Sequence, residues 1–175
     1  MKKKGQFYLV AAMIIVIVLV SFITISNYAQ KRNTSEFGEL QTEIEIEIEN
    51  VLDYVVKNDL SKSSRDVILE NLSSIYIDKI GTAANVIFLY GEQDAISLKG
   101  YNYGTNISID VGGGFVNVSE NIGEFTKTYS PTVTETSIKV DFDIYLFNLE
   151  EGQNFYFLIS KEEGDEKEVI IGWEV

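Results

Sequence analysis

The sequence predicts an α+β protein: an N-terminal transmembrane helix, then a helical hairpin, then an antiparallel β-sheet or small sandwich. Three observations carry this. Phe7 to Ile25, reading FYLVAAMIIVIVLVSFITI, has no charge, proline or glycine; at a rise of about 1.5 Å per residue it makes a helix of about 28 Å, the depth of a bilayer's hydrocarbon core. Between Phe37 and Ile80 apolar residues recur mostly in steps of three and four. From Ala84 the period changes to short runs rich in β-branched and aromatic residues, separated by Gly, Asn and Asp.

Taken in order, residues 1–5 read as a basic cytoplasmic leader, 6–29 as the transmembrane helix and 30–175 as one extracytoplasmic domain. That domain divides into a helical part over 30–81 and an antiparallel β part over 82–175. Lys2, Lys3 and Lys4 precede the span while Lys31 and Arg32 follow it, which favours a cytoplasmic N-terminus by the positive-inside rule. The expected location is the cell membrane, crossed once. A cleaved secretory signal fits less well, because the apolar run exceeds the usual h-region and Asn27-Tyr28-Ala29 lacks the paired small residues of a cleavage site. Asn33-Thr34-Ser35, Asn71-Leu72-Ser73, Asn106-Ile107-Ser108 and Asn117-Val118-Ser119 are glycosylation acceptor sequons, with Asn33, Asn71, Asn106 and Asn117 as the candidate sites of a glycoprotein exposed outside the cytoplasm.

Charge separates the two sides. Every acidic residue, starting at Glu36, lies after the span; without the three leader lysines the 14 bases fall to 11 against 27 acids, a net of −16. Such a polyanion repels nucleic acid and anionic headgroups, so neither is an expected partner. The chain has no histidine and no cysteine. That removes thiol nucleophiles, the usual zinc ligands and any Ser-His-Asp triad, and the sequence points to no catalytic residue, no metal ligand and no cofactor.

Beyond the membrane, Phe37, Leu40, Ile44, Ile48, Val51, Leu52 and Val55 describe one helical face. Glu43 to Glu49, EIEIEIE, alternates like a strand when taken alone, but the wider period predicts helix. A second helix is capped by Ser63 or Ser64, has Asp66 in its first turn, buries Val67, Ile68, Leu72, Ile75 and Ile80, and stops at Gly81. The two form a hairpin through residues 58–62. Strands follow at 86–90, 96–99, 107–110 and 115–118, and then at 137–147, 154–160 and 168–173. The last three are joined by short acidic, glycine-bearing connections and are expected to make an antiparallel meander, with the apolar residues of Val140-Asp141-Phe142-Asp143-Ile144 on one face and the aspartates on the other. Pro131 starts a strand or turn.

Several stretches invite a chemical reading. Asp110 with Gly112-Gly113-Gly114 has the look of a phosphate loop but lacks the Lys-Ser/Thr that follows one, so a hairpin connection is the expectation. Asp141 and Asp143, or the acidic turn 162–166, offer oxygen ligands without EF-hand spacing. Tyr90, Tyr101, Tyr103 and Phe115 form either an aromatic patch or part of the core.

The start of the chain carries one resemblance. Lys3-Lys4-Gly5-Gln6 followed directly by the apolar helix resembles the class III leader of archaeal type IV pilins and related filament subunits. The resemblance covers the leader and the hydrophobic helix. It implies that a pilin-type peptidase cuts after Gly5, leaving Gln6 as the first mature residue, that the helix is retained, and that subunits associate through it as a homo-oligomer. It also implies a head of helix and antiparallel sheet. One departure is present: the pilin pattern commonly has glutamate at the fifth mature position, and this chain has Val10. The function expected is a membrane-anchored, pilin-like surface protein that is a structural or adhesive filament subunit and not an enzyme. The alternative is a non-polymerising single-pass surface protein presenting an acidic binding domain.

Overall fold

The computed structural model describes residues 38–163 and 166–174. The chain divides into two units, 1–42 and 43–175. Of the first, 38–42 are helical, with the Thr42 hydroxyl donating to the Gly38 carbonyl at 3.0 Å. The leader and the apolar stretch 7–25 lie outside the described residues. No helix among the described residues is long and apolar enough to cross a membrane.

The second unit opens with α1, residues 43–57, which contains the whole EIEIEIE run. Ile44, Ile48 and Val55 are buried, whereas Ile46 is 53 % exposed, so the helical period prevails over the strand-like alternation. Helix α2 spans Lys62–Ile80 and returns alongside, with Lys79 forming an ion pair to Glu43. Its N-cap is Ser61, whose side chain accepts from the Ser64 N–H, and its C-cap is Gly81 at φ 69°. The cap thus falls earlier than Ser63 or Ser64, and Asp66 lies beyond the first turn. The buried stripe also differs from expectation. Leu69, Leu72, Ser73, Tyr76 and Ile77 face inward while Val67 and Ile75 are exposed. Ser73 is tolerated there because its hydroxyl donates to the Leu69 carbonyl of the same helix at 2.8 Å.

Among the described residues nine strands follow: β1 Asn85–Glu92, β2 Ala95–Asn102, β3 Ile107–Asp110, β4 Phe115–Ser119, β5 Gly123–Tyr129, β6 Glu135–Val140, β7 Asp143–Asn148, β8 Gln153–Glu163 and β9 Glu166–Glu174. They form two antiparallel sheets, ordered β5-β2-β1-β8-β9 and β4-β3-β6-β7. The fold is therefore α+β, two helices followed by antiparallel sheets.

The core has two faces. Between the sheets lie Ile87, Leu89, Ile96, Leu98, Ile107, Ile109, Ile138, Val140, Phe147 and Leu158. On the other side of β1, Phe88, Tyr90, Phe155 and Phe157 form an aromatic group with centroids 5.7 Å apart for Phe88–Phe155. This side meets α2: Lys99, the cross-strand partner of Phe88, pairs with Glu70 at 3.3 Å. Burial pushes the Tyr90 hydroxyl pKa above its ordinary value, and the Glu70 and Asp66 carboxylates of α2 add to it. A central strand covered on both faces reads as an unbroken apolar run, as Val86 to Tyr90 does. Gly172 pairs with Phe157, and a Cβ there would lie 2.0 Å from the ring, so only glycine leaves room for it.

Three expectations about the β part are corrected. Residues 137–147 are not one strand: β6 and β7 form a hairpin that turns at Asp141-Phe142, with Asp141 at φ 55°. Aspartate tolerates that left-handed conformation, and Asn106 holds it by donating its N–H to Asp141 Oδ1 and accepting the Asp141 N–H, both at 3.0 Å. Val140 is consequently buried while Phe142 is 93 % exposed, so the two do not share a face. The closing meander is instead two hairpins in different sheets, because the connection between β7 and β8 is a crossover. Finally, β5 was not expected; its sequence GEFTKTY is largely polar, and only Phe125 and Tyr129 reach the core.

Candidate functional site

Of the residues singled out in the sequence, Lys3, Lys4, Gly5, Gln6 and Asn33 lie outside the described residues. The other three sequons are exposed but differ in setting. Asn71 sits in the middle of α2, and the hydroxyl of its sequon residue Ser73 is buried and bonded to the helix backbone. Asn106 and Asn117 are brought together on the smaller sheet. Asn117 Nδ2 donates to Asn106 Oδ1 at 3.3 Å and to Glu120 Oε1 at 2.8 Å, which uses both of its amide hydrogens. Asn117 also borders a polar trough of about 480 Å³ beside Glu120, Ile122, Glu124 and Lys127, along the β4–β5 connection.

The glycine run following Asp110 is a tight β3–β4 hairpin connection. Asp110 Oδ1 accepts the N–H groups of Gly112, Gly113 and Gly114 at 2.8, 3.2 and 3.0 Å. The backbone nest that would hold an anion is filled by the chain's own carboxylate. These N–H donors, Gly112 first, hold the Asp110 carboxyl below its ordinary pKa.

Of the acidic residues weighed as oxygen ligands, Asp141 and Asp143 are engaged separately, and Gly164 and Asp165 of the turn 162–166 lie outside the described residues. Asp141 is held by Asn106, and Asp143 pairs with Lys167 of β9. Among the described residues no group of three or more Asp or Glu is disposed to hold a metal ion. The four aromatic residues do not form one patch: Tyr90 is buried, while Phe115 is half-exposed with the Lys139 ammonium 5.9 Å from its ring centroid.

Sequence reasoning missed the buried asparagines that govern the crossovers. Asn102 donates to the Thr105 carbonyl at 2.9 Å and accepts from the Gly104 and Thr105 N–H groups, fixing the passage from β2 to β3. Asn154 does the same after β7, donating to the carbonyls of Glu150 and Gly152 and accepting the Glu150 N–H. An asparagine beside a glycine was a legible turn signal, but its burial was not. Also missed was an ion-pair group at one end of α2, where Lys62 and Arg65 converge on Glu92, with Asp94 3.4 Å from Lys62. It ties the helix start to the β1–β2 turn.

Comparison of the chain with protein-family models, with curated proteins and with solved structures yields no match.

Proposed function

We propose that this chain is a membrane-anchored, pilin-like surface protein, cut after Gly5 and acting as a structural or adhesive filament subunit. The observation that carries the proposal is the Lys3-Lys4-Gly5-Gln6 start joined directly to the charge-free stretch Phe7 to Ile25. Two helices followed by antiparallel sheets are compatible with such a head, although a fold of this class serves many functions. In this reading the apolar helix first holds the chain in the bilayer and then lines the filament axis, while the acidic domain remains in water.

A second reading rests on Val10. Without a glutamate at that position the helix lacks the charge that aligns subunits in the pilin pattern, and a retained single-pass anchor presenting the acidic domain follows. The experiment that decides is the intact mass of the protein taken from its own cells, with N-terminal peptide mapping and inspection of sheared surface material. A chain beginning at Gln6 and recovered in sheared polymers supports the filament subunit. A chain beginning at Met1 and found only as membrane-bound monomer overturns it.

A further inference from the structure

The smaller sheet ends on β4 and β7, both poor in charge and both exposing apolar side chains, but β7 with the turn before it exposes more of them and pairs without irregularity. Among the described residues β6 is the one strand that forms a backbone ladder with β7, and the Asn148 carbonyl at the end of β7 accepts the Tyr156 hydroxyl. Natural edges are blunted by charge, proline or a bulge. β5 carries exposed Glu124 and Lys127, β9 carries Lys167 and Glu168, and the β4 pairing shifts register at Ile107/Ser108. β7 has one charge, Asp143, and it is paired with Lys167. Instead the strand and the turn before it present Phe142, Ile144 and Leu146, exposed by 93, 53 and 64 %. These alternate along the chain, and large exposed apolar side chains grouped at an open edge mark an interaction surface.

The charge is one-sided at the C-terminal end of this edge; at the other end Lys167 pairs with Asp143 and Lys139 stands opposite Ile144. At the C-terminal end stand Glu135, the cross-strand neighbour of Asn148, and Glu150 and Glu151. All three are exposed, and no ion pair among the described residues engages them. At the other end lie Asp141 and Asp143. A second copy pairing antiparallel about a twofold axis would set the end of one β7 where Lys167 already neutralises Asp143 against the glutamate end of the other, which gains no net attraction. A strand with basic residues at the end facing the glutamates is attracted instead.

We propose that β7 is the docking edge for an extended segment of another protein, which adds antiparallel to the sheet with apolar residues at alternate positions and with lysine or arginine at its N-terminal end. Main-chain hydrogen bonds to the open edge would supply affinity, and Ile144, Leu146 and the glutamates would supply selection. This inference is independent of whether the chain is cleaved or polymerises.

The test uses the full chain in detergent micelles, titrated by fluorescence anisotropy with a labelled KKRTVTVTV peptide and with its acidic counterpart EEETVTVTV. The expected result is saturable binding of the basic peptide, at least tenfold weaker binding of the acidic one, and slowed amide exchange in 143–148. Leu146→Lys should weaken the basic peptide at least tenfold, and Glu150→Lys combined with Glu151→Lys should abolish the preference. Leu146 is mostly exposed, so an unchanged circular dichroism spectrum is expected, and Ile144→Thr is the milder companion variant. No saturable binding, equal binding of the two peptides, or binding indifferent to Leu146→Lys and Ile144→Thr would overturn the proposal. A dimer of the unliganded chain that Leu146→Lys dissociates would overturn it in favour of a second copy.

Discussion

Asn154 is fully buried, yet its amide reaches three carbonyls, those of Gly91, Glu150 and Gly152, and its Oδ1 accepts the Glu150 N–H. Asn154→Ala leaves those backbone groups without partners in a region closed to water, so we expect a loss of about 2–4 kcal/mol, read as a lower midpoint in urea unfolding. Asp110 acts through charge. Its folded pKa lies below the unfolded value because three glycine N–H groups favour the carboxylate. Its contribution is therefore complete above the unfolded pKa and disappears as pH falls through the lowered folded one. Asp110→Asn should flatten the acid limb of a stability-versus-pH curve, and an unchanged acid limb would contradict the nest. Gly172 makes a steric point: Gly172→Val must displace the Phe157 ring, at a cost of about 1–3 kcal/mol by the same unfolding measurement.

At the level of elements, α1 tests which period the chain obeys. Ile48 is buried and Ile46 is not, although both sit in the same alternating run. Ile48→Ala should cost about 2–4 kcal/mol and Ile46→Ala less than about 0.5, a contrast that a strand presenting both isoleucines on one face would not produce. The helix was legible because the seven apolar positions from Phe37 to Val55 at helical spacing outvote the three alternating isoleucines of EIEIEIE. The burial stripe of α2 was not. Val67 and Ile75 are as apolar as Leu69 and Ile77, and the crossing of α2 over β1 and β2 selects which of them point inward. The strand break at Asp141 was hidden for a related reason. VDFDI alternates cleanly, and only the Asn106 backbone, brought from a distant loop, stabilises the turn there.

For the whole molecule, the proposed anchor is the decisive reading, and Ile15→Lys tests it. A lysine at the centre of the apolar stretch costs about 2.5–3.5 kcal/mol on insertion scales, so membrane fractionation should show a larger soluble or degraded share. An unchanged membrane fraction would argue against Phe7 to Ile25 as the span. Long-range organisation explains why some features could be read from residues in order and others could not. Helix existence, the Gly81 stop, the β-rich second half and the Asp110 hairpin follow from periodicity, capping and turn chemistry, which act within a few residues. Which strand joins which sheet follows from contacts between distant segments. β8 leaves β7 and pairs with β1 because Phe155 and Phe157 complete the aromatic layer beneath α2, while Tyr156 turns to the other face, with its ring 5.3 Å from that of Phe147 and its hydroxyl donating to the Asn148 carbonyl. The open edge at β7 is likewise invisible in the sequence, since an apolar strand reads the same whether a neighbour covers it or water does. Local dihedral and solvation preferences are written residue by residue. Strand order and exposure come from the competition among many distant apolar surfaces for the same interior, and only the folded chain resolves it.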